Sequence, residues 1–256
     1  MRPRVLLGGL VAAYVLICAG VFFAQRMLVF PAPSERAGVP RGFEEVQVPG
    51  ATFFIWSRVE GDGPVVVHFH GNGEQVGHLG WFGSEFKQRG VSFVAIEYPG
   101  YPGANGSPSE ESLLAAAEAA LHELEKHGVA RERIILEGQS VGTGVAVAMA
   151  AKGWGRKLVL LSPYTSLPDV GARAFSWLPV RLLMRDRFDS ASRAADVKVP
   201  TLIIHGTDDE VILFELGKEL SGRFANVKFI EIPGAHHNDL WEQKQTAAVF
   251  EFVLEP

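Results

Sequence analysis

Cysteine is nearly missing from this 256-residue chain: Cys18 is the only one. No internal disulfide can form, and no thiolate pair is on hand for zinc. Cys18 lies in an apolar run, where a packing role is the default for such a residue. Surplus positive charge is missing too. The formal net charge is −5 and no stretch concentrates lysine and arginine, which argues against nucleic acid as a partner. There is no internal repeat and no long low-complexity segment, which excludes a solenoid and a disordered tail. Charged residues make up 21% against 47% hydrophobic, the balance of a globular chain with a sizeable core.

Charge is absent altogether from residues 5–24, which are almost all apolar. Twenty helical residues reach about 30 Å, the thickness of a bilayer's hydrocarbon core. An uncleaved signal anchor and a removable signal peptide compete for this run. Its length exceeds the apolar core of about 7–15 residues usual in signal peptides, and the candidate cleavage site around Ile17-Cys18-Ala19-Gly20 does not clearly match Ala-x-Ala. The expectation is a single-pass anchor. Arg2 and Arg4 form a short basic amino end of the kind that stays in the cytoplasm, which puts the rest of the chain on the other side.

The rest is organised around Gly138-Gln139-Ser140-Val141-Gly142. The pattern Gly-x-Ser-x-Gly marks a nucleophile elbow, a serine held on a sharp strand-to-helix turn. The pentapeptide alone is weakly specific, and its surroundings add the weight. Arg133–Glu137 reads as a strand rich in β-favouring residues. Val145–Lys152 reads as an Ala-rich helix stopped by Gly153. Gly138 and Gly142 supply the small neighbours that so tight a turn requires.

A nucleophilic serine needs a general base, and the base needs a carboxylate. Both follow Ser140 in the chain. The strand Thr201–His205 empties into Gly206-Thr207-Asp208-Asp209, and the strand Val227–Ile232 ends in Pro233-Gly234-Ala235-His236-His237. Each candidate lies just past the carboxyl end of a strand, where open α/β sheets bind ligands. Spacing leaves Asp208 and Asp209 open as the acid, and His236 and His237 open as the base.

Upstream, Glu44–Val48 and Thr52–Arg58 read as an antiparallel pair around Pro49-Gly50. Pro64–His70 is a fully apolar strand running into Gly71-Asn72-Gly73, with a helix-like stretch over Glu74–Arg89. Ser92–Glu97 is the next strand, and Ser109 is placed to cap a helix reaching about His127. Strands alternating with helices at this spacing predict crossover units and a mainly parallel sheet. His68 and His70 alternate along one strand and so share a face. With no carboxylate or cysteine nearby to complete a ligand set, they read as structural and no metal is expected. Residues 162–199 mix Phe175, Trp177, Leu178, Leu182, Leu183 and Met184 with Arg173, Arg181, Arg185 and Arg187. Two readings stand: a small cap forming an apolar wall for acyl groups, or a connection packed on the sheet.

The segments Gln25–Pro31, HFHGNG, EYPGYPGANGSPSE, GQSVGTG, SPYTSL, LPVRLLMRDRFDS, IIHGTDDEVI and GAHHND run through almost the whole chain. Together they resemble a membrane-anchored branch of the α/β-hydrolase superfamily. The branch includes the fungal bud-emergence-related hydrolases, bacterial homologues and mammalian protein depalmitoylases. The resemblance implies a mostly parallel eight-stranded sheet flanked by helices. Residues 1–30 would be the anchor and its flank, and residues 31–256 the catalytic body, with both readings of 162–199 still open. It implies Asp209 as the acid and His237 as the base. The glycine-rich loop after the strand and the residue after the nucleophile are placed to form an oxyanion hole from the backbone N–H groups of Asn72 and Val141. Glu97 departs from the family's more usual aspartate, and Leu213 from its frequent proline.

The expected activity is a cofactor-free serine hydrolase acting on an ester, thioester or amide through an acyl-enzyme, with a small or lipid-like acyl substrate. Two other readings remain. One is a membrane-anchored scaffold that keeps the fold without the chemistry. The other is a peptidase using the same three residues.

Overall fold

Five strands are apolar and buried along their whole length: Val65–Phe69 (β3), Ser92–Ile96 (β4), Ile134–Gln139 (β5), Lys157–Leu161 (β6) and Thr201–Gly206 (β7). Strands of that composition need cover on both faces, so they take the middle of a sheet. Thr52–Ser57 (β2) is buried as well, whereas Glu44–Val48 (β1) and Val227–Ile232 (β8) carry exposed polar residues. Those two lie at the edges, where charge discourages pairing with another chain. The order is β1-β2-β4-β3-β5-β6-β7-β8. The pairs β1–β2 and β2–β4 are antiparallel, and all pairs from β4 to β8 are parallel. The architecture is an α/β-hydrolase fold.

The computed structural model describes residues 3–241 and 243–255. Its helices are Pro3–Val29 (α1), Gly80–Gln88 (α2), Glu110–Lys126 (α3), Val141–Ala151 (α4), Leu167–Ala174 (α5), Val180–Leu183 (α6), Ser190–Arg193 (α7), Phe214–Ser221 (α8) and Gln243–Leu254 (α9). One core cluster joins the sheet to α3, α4 and α8, and a second joins its other face to α2 and α9. Ser109 caps α3 as expected: its hydroxyl accepts from Ser112 N at 3.0 Å, and its own N–H donates back to the Ser112 hydroxyl.

Two helix boundaries differ clearly from the sequence reading. Over 74–89 the helix is shorter, a 3₁₀ turn at Val76–Leu79 followed by α2. The elbow helix starts at Val141, four residues ahead of the alanine run. Gly142 and Gly144 are poor helix formers that hid this start, and packing against β3 and Tyr164 overrides propensity there. The reading also assigned no helix to α8 or α9.

Within residues 162–199 the apolar side chains divide. Tyr164, Phe188, Ala194 and Val197 join the main core, while Phe175, Trp177 and Leu182 face outward. Neither sequence reading anticipated that division. The segment also holds the carboxyl end of α1. Gln25, buried, donates to Leu183 O at 3.1 Å and accepts from Arg185 N at 2.8 Å. Arg26 makes a two-point contact with the buried Asp186, and Phe30 packs edge-on against Phe188.

Candidate active site

Ser140 stands at the step from β5 to α4 with φ 52° and ψ −123°. A side chain rarely tolerates that backbone, and tight neighbours must hold it. Here the flanking glycines are obligatory. A Cβ on Gly142 would stand 2.0 Å from Phe69 O, and one on Gly138 would stand 2.6 Å from Gly142 O. Strand β3 and the first turn of α4 are therefore in backbone contact. The turn is pinned on its other side by Ser140 N donating to Leu161 O at 3.0 Å. The Thr143 hydroxyl donates to Ser140 O at 2.6 Å.

His237, past the end of β8, brings Nε2 to 3.1 Å from Ser140 Oγ. Its Nδ1 is 2.8 Å from Asp209 Oδ2 and 3.0 Å from Oδ1, so the Nδ1–H is donated to the carboxylate. All three residues are buried. The adjacent alternatives lie elsewhere. Asp208 accepts from the Thr207 hydroxyl, while the exposed His236 bonds Glu210 at 3.1 Å and is raised in pKa first by that hydrogen bond and then by its charge.

Asp209 is held by more groups than its place in the sequence indicates. Oδ1 accepts backbone N–H bonds from Val211 at 3.0 Å and Ile212 at 2.8 Å. Oδ2 accepts the Ser162 hydroxyl at 2.7 Å and lies 3.3 Å from His205 Nε2, a nitrogen also 2.9 Å from Ile212 O. Burial opposes ionisation of this carboxyl. Hydrogen bonds from His205, His237 and Ser162, with the charge of His237, outweigh it and hold the group well below the usual carboxylate range. Sequence reasoning missed Ser162 and His205 as partners of Asp209. The signal available was their position, one just past β6 and one at the end of β7.

The Gly71-Asn72-Gly73 loop lies beside the serine: a Cβ on Gly71 would stand 3.6 Å from Ser140 Cβ. Val141 opens α4, so its N–H has no carbonyl of its own helix to bond. Behind the loop, His70 Nε2 meets Glu97 Oε1 at 3.0 Å, and Glu97 also accepts from Val76 N and Tyr98 N. The Tyr98 hydroxyl donates to His70 O at 2.7 Å. Burial disfavours the charged His70, but the hydrogen bond and charge of Glu97 outweigh it and raise the pKa.

Two expectations about the histidine pair need correction. His68 and His70 do not share a face, because β3 ends at Phe69. His68 packs on Phe82 and Phe93, and His70 on Tyr98 and Tyr101. Each also has a carboxylate beside it, Glu137 at 2.6 Å for His68 and Glu97 for His70. Each pair is separate, and among the described residues no three His, Cys, Asp or Glu side chains gather as a metal set.

Known proteins resemble this chain along most of its length. The Mycobacterium tuberculosis protein Rv2307c is 34% identical over 246 residues, covering 90% of this chain and 87% of the relative. The Caenorhabditis elegans α/β-hydrolase domain-containing protein aho-3 is 38% identical over 175 residues, covering 67% of this chain and 51% of the relative. The Pyrococcus furiosus esterase Pf2001 superposes with a TM-score of 0.70 at 17% identity, over 87% of this chain and 96% of the esterase, a likeness of fold. The family model described as serine aminopeptidase, S33, matches residues 63–190. That half of the chain runs from β3 to the start of α7 and includes Ser140. This protein belongs to that family of α/β-hydrolases.

Proposed function

We propose that the protein is a serine hydrolase, anchored in a membrane by α1, that cleaves an ester or thioester bond of a lipid-like acyl substrate. The reading rests on one observation above all, the continuous hydrogen-bonded chain from Ser140 Oγ through His237 to Asp209. Ser140 Oγ attacks the acyl carbon while His237 Nε2 takes the hydroxyl proton. Asp209, kept ionised, holds the Nδ1–H and stabilises the imidazolium. The carbonyl oxygen gains the negative charge, and the N–H groups of Asn72 and Val141 receive it. Collapse expels the alcohol or thiol, which leaves with the proton from His237. Water, activated by the same histidine, then releases the acid and restores Ser140.

The membrane part of the reading is supported by the 23 residues Leu7–Val29, long and apolar enough to cross a bilayer. The basic amino end, Arg2 and Arg4, favours the body lying outside the cytoplasm. An ester or thioester is preferred over a peptide because of that apolar anchor and the esterase-like fold neighbour. The description of the matching family keeps a peptidase as the second reading.

Labelling of the full chain by a fluorophosphonate probe tests the chemistry. Wild type is expected to label, and Ser140→Ala and His237→Ala are expected not to. A folded wild type that stays unlabelled overturns the activated serine. Amino-acyl amides turned over faster than acyl esters would transfer the assignment to the peptidase.

A further inference from the structure

The outward-facing apolar residues of the α5–α6 corner lie alongside α1. Phe175 is 52% exposed, Trp177 57% and Leu182 86%. Isolated exposed hydrophobics are ordinary, but three large ones within eight residues form a patch that calls for a cover. Their neighbour supplies its identity. The Tyr14 hydroxyl donates to Trp177 O at 2.9 Å, so the corner reaches the middle of the apolar helix. Leu178, Val180, Leu183 and Met184 line a small cavity against Val21 and Gln25. On the same helical face as Tyr14, Leu7, Leu10 and Val11 of α1 are exposed, so an apolar surface of α1 runs on from the corner.

Polar groups are sorted along the same axis. The Arg185 guanidinium lies 5.8 Å from the Phe22 ring centroid, and Arg26 binds Asp186. The Arg187 guanidinium donates to Arg181 O. Arg185 and Arg26 thus lie at the level of Phe22 to Arg26, whereas the Trp177 carbonyl sits at the level of Tyr14. Eight residues of helix separate Tyr14 from Phe22, about 12 Å. Headgroup phosphates match the level of the arginines, and the acyl region matches the level of Trp177.

Much of the corner's backbone is hydrogen-bonded within the protein. Leu178 N donates to Phe175 O, Val180 N to Leu178 O, Leu182 N to Pro179 O and Met184 N to Val180 O. Position 179 is proline and has no N–H to satisfy. The carbonyls of Trp177 and Leu183 are taken by side chains of α1, Tyr14 and Gln25. Irregular backbone survives at membrane depth only when its polar groups are bonded in this way.

We propose that residues 175–183 form a second membrane contact, inserted beside α1 into the leaflet that faces the body, with a phospholipid bilayer as the occupant. The proposal rests on the reading of α1 as a membrane span. Its consequence for the site is positional. The oxyanion loop abuts the chain where it leaves α1, since a Cβ on Gly73 would stand 3.9 Å from Pro31 O. An inserted corner fixes that face of the body, with the loop beside Ser140, close to the headgroups.

The test uses the full chain in phosphatidylcholine–phosphatidylglycerol vesicles, with Cys18→Ser and one new thiol carrying an environment-sensitive fluorophore. Leu182→Cys reports on the corner. Asp62→Cys, fully exposed before β3 at the opposite end of the sheet from Gly73, is the control. Lipids brominated in the acyl chain are expected to quench the label at 182 by about twofold or more, and to leave the label at 62 unchanged. If the protein floats with the vesicles and resists alkaline extraction while 182 is no more quenched than 62, the corner contact is overturned and the anchor stands. If the protein does not float, the anchor falls and the corner contact falls with it. A blue shift at 182 that grows with protein-to-lipid ratio and is insensitive to bromine would assign the face to a second copy of the chain, which also overturns the proposal.

Discussion

Ser162 shows how much of the behaviour of Asp209 is set by residues that carry no motif. It adopts φ 48° just past β6 and donates its hydroxyl to Asp209 Oδ2 at 2.7 Å. A hydrogen bond to a charged group contributes about 1.5–3 kcal/mol. The Val211 and Ile212 N–H groups and His205 remain in its absence, so Ser162→Ala is expected to retain the lower end of that effect. The prediction is a fall of about tenfold in kcat with KM little changed, because the bond orients the acid and does not touch substrate. Steady-state kinetics on a chromogenic ester check it, and a rise in KM at constant kcat would contradict it. The same scale explains why spacing could not separate Asp208 from Asp209 or His236 from His237. Adjacent residues leave one strand end in opposite directions, and their direction depends on neighbours from other strands.

At the scale of elements, the loop after β3 is held by β4 through one buried pair. Glu97 accepts from Val76 N and Tyr98 N as well as contacting His70, so it ties the His70–Val76 loop to the end of β4. The His70 pKa is raised in the fold. A group with a raised folded pKa contributes stability that is fully present below its unfolded value, about 6.5 for histidine, and is lost as pH rises through the folded value. Glu97→Gln removes the charge behind that rise. Its cost in urea unfolding is therefore expected to be larger at pH 5 than at pH 9, by about 1–2 kcal/mol. An equal cost at both pH values would show that the pair acts without protonation of His70. The glutamate was visible in the sequence as a departure from the family's usual aspartate. Its partner was not, because His70 and Glu97 lie 27 residues apart and meet only when β3 and β4 pair.

At the scale of the molecule, the apolar helix and the hydrolase body are one mechanical unit. Phe30, the first residue after α1, is buried in the main core and packs on Phe188, whose own φ is 40°. Phe30→Ala is expected to cost about 3–5 kcal/mol, the usual range for a buried phenylalanine. Thermal unfolding in detergent would show a lowered Tm, and an unchanged Tm would mean that the helix hangs free of the body. The amino-acid sequence by itself determined the class of this protein. Alternation of apolar strands with helices, the tight Gly-x-Ser-x-Gly turn and an uncharged run of twenty residues are local patterns, set by backbone sterics and by the cost of burying charge. Tertiary structure alone decided which aspartate and histidine meet Ser140, that Ser162 and His205 hold the acid, and which apolar residues of 162–199 turn outward. Those outcomes depend on where separate strands bring their ends together, and no periodicity within one segment records the position of another.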